Sequence, residues 1–184
     1  MSANAQVLPA SNPTGLALFL HGVGASGASL RPLARMIAQE IPNLAVRAPD
    51  APQKFDQGPG YQWFSIAGVT ESNRKSRVEA AMPAFRAVIA REAQSHNVPL
   101  DRVMLIGFSQ GAIMAMHHVI DGGLAGGVIA MSGRLADAPT SDLSKAPAVR
   151  IIHGEDDPIM PIETAVQTKA WLRMKSADVT MDRL

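Results

Sequence analysis

The five residues Gly107-Phe108-Ser109-Gln110-Gly111, taken together with their two flanks, constrain the fold of this chain more than any other stretch. Residues 102–106 before them form a short apolar run with β-branched residues, which is typical of a buried parallel strand. Residues 112–120 after them are helix-forming and stop at Gly122-Gly123. A strand, a sharp turn at serine and a helix together predict a nucleophile elbow.

The two glycines of this motif have a physical purpose. A serine held in a strained strand-to-helix turn needs neighbours without a β-carbon, so that the backbones can approach and the hydroxyl can project. The alternative is an ordinary strand-to-helix connection that happens to contain a serine, but the agreement of both flanks favours the elbow.

Composition excludes several function classes. A chain of 184 residues suits one domain over 1–184, and a net charge of +1 gives no electrostatic attraction for nucleic acid or anionic membranes. The chain has no cysteine, which excludes disulfides, thiolate zinc sites and cysteine nucleophiles. No apolar run reaches the length of a membrane span, and residues 1–14 lack the pattern of a signal peptide. We therefore expect a cytoplasmic protein with no stable membrane insertion.

Predicted strands and helices alternate along the whole chain. Strands are predicted at 16–20, 44–48, 102–106, 126–131 and 148–152, and a last strand opens at Ala177 and is cut short at Leu184. Helices are predicted from Ser29 to Ile41, from a capping box at Ser76 and Glu79, over 112–120, and from Pro161 to about Lys175. This order predicts an α/β fold with a mainly parallel sheet and helices on both faces.

A glycine-rich loop follows the first predicted strand. Gly22, Gly24 and Gly27 match the Gly-x-Gly-x-x-Gly spacing of dinucleotide-binding folds, and Asp50 stands where a ribose-binding acid could stand. The elbow downstream offers this loop a different role, as a donor of backbone N–H groups to a reacting oxygen. We favour the second interpretation.

The chemistry of an activated serine requires further groups. A histidine normally removes the hydroxyl proton, a carboxylate orients that histidine, and elbow folds carry them in the chain order serine, acid, histidine. Asp157, before a proline and after a strand, is the best acid, with Asp156 and Glu155 as neighbours that could replace it. The backbone N–H groups of Val23 and Gln110 are the natural oxyanion donors.

The long segment 53–70 carries four of the eight aromatic residues, namely Phe55 and the close group Tyr61, Trp63 and Phe64. Such a segment inside one domain is often a lid or part of a binding site. An equally good interpretation is that Trp63 and Phe64 only hold the segment against the core.

Four sequence blocks resemble the phospholipase/carboxylesterase family of α/β-hydrolases, which includes the acyl-protein thioesterases. They are Phe19–Gly24, Gln62–Phe64, Gly107–Gly111 and His153–Pro158. The resemblance covers nearly the whole chain and implies an α/β-hydrolase fold and a cofactor-free carboxylesterase acting on small-molecule or lipid-derived esters, with thioesters as a further class. It implies Ser109 as nucleophile, Asp157 as acid and Val23 and Gln110 as oxyanion donors, with Trp63, Phe64 and Met160 at the substrate pocket.

The catalytic histidine is the one departure from the family pattern. In the family it follows the last strand in a Gly-His context, whereas none of the five histidines of this chain replaces it comfortably. We expect that a tail carrying the histidine is missing after Leu184; the alternative is a catalytically dead relative that binds acyl ligands. The adjacent pair His117-His118 predicts no metal site, because neighbouring helix positions diverge and no acidic cluster accompanies them.

Overall fold

The fold is a sheet flanked by helices, in a computed structural model that describes residues 6–8 and 12–184. The strands are β1 Gln6–Leu8, β2 Gly15–Leu20, β3 Leu44–Arg47, β4 Gln53–Lys54, β5 Tyr61–Gln62, β6 Val103–Phe108, β7 Gly127–Met131, β8 Val149–His153 and β9 Val179–Arg183. The helices are α1 Gly27–Glu40, α2 Glu71–Ser95, α3 Gln110–Ile120 and α4 Ile162–Met174, with one short 3₁₀ turn at Leu100–Arg102. Within the described ranges, none of these helices is long and apolar enough to cross a membrane.

The principal sheet has the strand order β1-β3-β2-β6-β7-β8-β9. All neighbouring pairs are parallel except β1 with β3, which confirms the predicted mainly parallel α/β architecture. The last strand, β9, pairs with β8 along its full length, from Val149 with Val179 to His153 with Arg183. The remaining strands, β4 and β5, form a small antiparallel pair outside this sheet.

Helices cover both faces of the sheet, as predicted. Alternate residues of β2 point to opposite faces, so Leu16, Leu18 and Leu20 join one core cluster while Ala17 and Phe19 join another. The larger cluster packs against α2, α3 and α4, and the smaller one packs against α1. Phe108, at the end of β6, is 44% exposed on the α1 side of the sheet, so α1 does not extend over it.

Two predicted helix starts are wrong. α1 begins at Gly27 with Ser26 as its N-cap, rather than at Ser29. α2 begins at Glu71, because Thr70 and Asn73 form a capping box in which the Asn73 side chain accepts a hydrogen bond from the Thr70 N–H. Ser76, the predicted cap, lies inside the helix and donates to the carbonyl of Asn73. Asn73 takes the place of the glutamate or glutamine usually found three positions after the cap.

Candidate active site

Ser109 lies in a strained turn between β6 and α3. Its backbone has φ 51° and ψ −114°, a conformation that non-glycine residues rarely adopt. The turn is held from both sides, because the Ser109 N–H donates to the carbonyl of Met131 at 2.9 Å and its own carbonyl accepts from the Ile113 N–H at 3.1 Å. This is the geometry expected of a nucleophile elbow.

Close backbone contacts require glycine at both positions of the elbow. A β-carbon on Gly107 would lie 2.5 Å from the backbone nitrogen of Ala112, and one on Gly111 would lie 2.1 Å from the carbonyl oxygen of Leu20. Both contacts are with backbone, which cannot move aside cheaply. Gly111 therefore allows α3 to begin directly against the end of β2.

The glycine-rich loop after β2 faces the elbow. A β-carbon on Gly22 would lie only 3.3 Å from the β-carbon of Ser109, so the backbone of this loop passes next to the serine. Val23, the predicted oxyanion donor, follows directly in the chain. The Gln110 N–H, the second predicted donor, lies in the first turn of α3 and has no partner within its own helix.

The same loop is not shaped as a phosphate cradle. A β-carbon on Gly27 would lie 1.8 Å from the carbonyl oxygen of Ala48, so the third glycine serves close packing against the chain after β3. Asp50, which could have bound a ribose, accepts a hydrogen bond from the Gly27 N–H at 2.8 Å. Both observations argue against the dinucleotide interpretation.

Asp157 is held firmly in the loop after β8. Its Oδ1 accepts hydrogen bonds from the backbone N–H groups of Met160 at 3.0 Å and Ile159 at 2.9 Å. These donors, with a smaller contribution from the Ser132 hydroxyl, hold the pKa of Asp157 below its usual value. Its Oδ2 lies 3.8 Å from Nε2 of His153. The carboxylate is therefore ionised at neutral pH and fixed in direction.

The two acidic neighbours of Asp157 differ from it in environment. Glu155 and Asp156 are exposed, whereas Asp157 is half-buried. The backbone N–H of Glu155 donates to the carbonyl of Leu184, and the Leu184 N–H donates to the carbonyl of His153. Leu184 therefore lies beside the start of the loop that carries Asp157.

The three predicted pocket residues lie near these segments but face different surroundings. Trp63 is 1% exposed, and its ring packs against Phe85 with ring centres 5.1 Å apart. Phe64 is 5% exposed and borders a cavity of 390 Å³ against α2, whose lining includes Arg77 but no elbow residue. Met160 is partly buried against the larger core, in the loop of Asp157. Burial of both aromatic rings supports the interpretation that they hold the 53–70 segment, and their contact with substrate stays a prediction.

Each of the five histidines is hydrogen-bonded away from the serine. His21 donates through Nδ1 to the Gly22 carbonyl and accepts at Nε2 from the Ala51 N–H. Each of the other four contacts the backbone through one ring nitrogen: His117 at Ala136, His118 at Leu124, His153 at Met160 and His96 at Glu92. Within residues 12–184 none of these rings forms a hydrogen bond with Ser109 or Asp157. The described part of the chain also contains no group of three potential metal-binding side chains.

Two contributions escaped the sequence analysis. The Ser132 hydroxyl helps to lower the pKa of Asp157, and the Gln110 side chain binds the backbone of Trp63 and Phe64. Ser132 could have been found from the sequence, because it directly follows a predicted strand next to the elbow strand. The contacts of the Gln110 side chain could not, because its partners are 46 and 47 positions away in the sequence.

Comparisons with known proteins point to one family. The sequence profile of the phospholipase/carboxylesterase family matches residues 3–184. Esterase YpfH of Escherichia coli K12 is 36% identical over 168 residues, which cover 91% of this chain and 72% of that protein. Acyl-protein thioesterase 1 of Mycosarcoma maydis is 29% identical over 190 residues, covering 90% of this chain and 78% of that protein.

Solved structures show the same architecture. The crystal structure of esterase PE8 superposes with a TM-score of 0.86 at 26% identity and covers 99% of this chain and 89% of that one. The carboxylesterase of Bacillus cereus superposes with a TM-score of 0.78 at 19% identity, covering 99% of this chain and 85% of that one, and supports the fold alone.

Proposed function

The chain belongs to the phospholipase/carboxylesterase family, and from this premise we propose that it is a serine carboxylesterase acting through an acyl-enzyme on Ser109. Relatives described as an esterase and as an acyl-protein thioesterase support the assignment of the chain as an ester hydrolase. The observation that carries the serine mechanism is the elbow itself, with Ser109 at φ 51° between β6 and α3 and next to the glycine loop. Its substrates are small or lipid-derived carboxylic esters, with thioesters as a second class, and it acts in the cytoplasm.

The proposed reaction begins with attack of the Ser109 oxygen on the ester carbonyl carbon. The hydroxyl proton passes to a base, and the carbonyl oxygen becomes an anion that the N–H groups of Val23 and Gln110 stabilise. Collapse of this intermediate releases the alcohol, which takes the proton from the base and leaves an ester on Ser109. Water then repeats the sequence, with the same base, and releases the acid.

Asp157 orients the base in this mechanism. Its ionised carboxylate suits it to hold an imidazole N–H and to stabilise the imidazolium that forms. Leu184 lies beside the Asp157 loop, because it is hydrogen-bonded to Glu155 and to His153. The proposed base is a histidine whose imidazole lies against the Asp157 carboxylate.

The test uses the complete product of the gene, whatever follows Leu184. We expect a burst of p-nitrophenol from p-nitrophenyl butyrate and covalent labelling of Ser109 by a fluorophosphonate, located by peptide mass spectrometry. Ser109→Ala should abolish both signals, with a loss of turnover on the order of a million-fold, whereas the exposed control Ser141→Ala should leave them unchanged. Binding of an acyl ligand without burst or labelling would contradict the esterase and support the acyl-binding relative.

A further inference from the structure

The Gln110 side chain is buried and uses both ends of its amide. It is 3% exposed. Its Oε1 accepts a hydrogen bond from the backbone N–H of Trp63 at 2.8 Å, and its Nε2 donates to the backbone carbonyl of Phe64 at 2.7 Å. The residue that follows the nucleophile is therefore bonded to two consecutive residues of a distant segment.

That segment is bonded in turn to the glycine loop. The indole N–H of Trp63 donates to the carbonyl of His21 at 2.9 Å. The Tyr61 N–H donates to the carbonyl of Ala25 at 2.8 Å, and the Tyr61 carbonyl accepts from the Gly24 N–H at 2.9 Å. Residues 61–64 thus form a bridge between the loop that holds Val23 and the start of α3.

The bridge joins the two proposed oxyanion donors. Val23 lies between His21 and Gly24, both bonded to the bridge, and Gln110 is bonded to it through its side chain. Donors that differ in position by about 1 Å lose much of their effect on a developing charge. We propose that the Gln110 side chain is a positioning residue that sets the separation of the Val23 and Gln110 N–H groups through the 61–64 bridge.

Only a primary amide of this length satisfies both partners. Glutamate keeps the acceptor for the Trp63 N–H but places a carboxylate oxygen against the Phe64 carbonyl, where a donor is needed. Methionine fills a similar volume and makes neither bond. Asparagine is one methylene shorter and cannot reach both groups from the same backbone position.

This inference rests on the proposed function for its kinetic part. In the complete gene product we expect Gln110→Glu and Gln110→Met to lower kcat for p-nitrophenyl butyrate by about 10- to 100-fold, with KM little changed, because the donors act on the transition state. Gln94→Glu, an exposed change on α2, is the matched control and should keep wild-type kcat. All rates are taken well below each variant's midpoint of thermal unfolding.

A second measurement needs no catalysis. The chain has two tryptophans, so Trp171→Phe leaves Trp63 as the only reporter of the bridge. In that background we expect Gln110→Met to shift the Trp63 emission to longer wavelength and to raise its quenching by acrylamide, while Gln94→Glu leaves both unchanged.

The outcomes separate the two hypotheses. If wild type hydrolyses no ester but the Trp63 emission responds to Gln110→Met, the proposed function is wrong, whereas the conclusion that Gln110 holds the 61–64 bridge is supported. If wild type is active and both Gln110 variants keep kcat within about two-fold, the positioning role is wrong. An unchanged Trp63 emission in Gln110→Met would show that the side chain does not hold the bridge.

Discussion

The backbone N–H of Ser132 donates a hydrogen bond to the carbonyl of Ile152 at 2.9 Å, which joins the ends of β7 and β8. Ser132 has a left-handed backbone, with φ 46°, at the point where the chain leaves β7. Its hydroxyl also contributes to holding the pKa of Asp157 below its usual value. The ionisation of the proposed acid is therefore influenced from its own loop and from the end of the neighbouring strand.

Ser132→Ala should raise the pKa of Asp157 towards its ordinary value, because the hydroxyl that favours the ionised carboxylate is lost. The measurement is an NMR titration of the Asp157 carboxyl carbon. Ser144→Ala is a suitable control, since the Ser144 hydroxyl binds Asp142 at 2.6 Å on the surface and should affect only that acid. An unchanged Asp157 titration in Ser132→Ala would contradict this role of Ser132.

Asp157→Asn should lower stability at neutral pH more than in acid. The folded-state pKa of Asp157 lies below its unfolded value, so its contribution is present above the unfolded pKa and is lost as the pH falls through the folded pKa. At pH 7 we expect the free energy of unfolding of Asp157→Asn to be lower than that of wild type by on the order of 1 kcal/mol. This difference, measured by urea unfolding, should shrink well below pH 4. Asp156→Asn, at an exposed position, should show no such trend; a pH-independent difference for Asp157→Asn would contradict the prediction.

Gly111→Ala should destabilise the fold, because the new methyl group would meet the Leu20 carbonyl at 2.1 Å. Forcing extra volume into a packed site costs about 1–3 kcal/mol, and a backbone neighbour places this site at the upper end. Thermal unfolding followed by circular dichroism measures the change. The control is Gly154→Ala, where an added β-carbon meets nothing within 4 Å, and equal midpoints for the two variants would refute the packing argument.

His117 should make stability depend on pH in mild acid. Burial lowers its pKa from 6.5 to about 4, and its Nε2 accepts a hydrogen bond from the Ala136 N–H at 2.9 Å. The unfolded chain takes up a proton from about pH 6.5 downwards while the folded protein stays neutral until about pH 4, so stability falls across this window by on the order of 3 kcal/mol.

His117→Gln removes this titration and keeps an acceptor for the Ala136 N–H, so its unfolding free energy should change less between pH 7 and pH 5. His96→Gln, at the end of α2, tests whether any histidine has the same effect. If both variants keep the full pH dependence of wild type, His117 is not its source.

The sequence was sufficient for the order of strands β2, β3, β6, β7, β8 and β9, for that of helices α1 to α4 and for the turn at Ser109, but not for β1, β4 and β5. Strand and helix periodicity are local properties, and the predicted elbow is a local motif with flanks that agree, so the strained turn at Ser109 could be predicted from the order of residues alone. The start of α2 could not be predicted from the sequence. Thr70 with Asn73 and Ser76 with Glu79 are both plausible capping pairs, and the choice between them depends on tertiary packing.

Contacts between distant segments could not be predicted from the sequence. The pattern around Trp63 left open whether its ring binds substrate or holds the 53–70 segment, and only its burial against Phe85 favours the second. The Gln110 amide binds a segment 46 and 47 positions away, and the Ser132 hydroxyl acts on the pKa of an acid in another loop, so no local spacing identifies their partners.

The bridge at residues 61–64 also has a consequence for folding kinetics. It joins groups that are 42 and 47 positions apart, through Trp63 to His21 and Trp63 to Gln110, and it depends on the prior pairing of β2 with β6. Long-range contacts of this kind form late, because loop closure must precede them. In refolding experiments we therefore expect helical circular dichroism to recover before Trp63 becomes protected from quencher, so that this site marks molecules that have reached the native state.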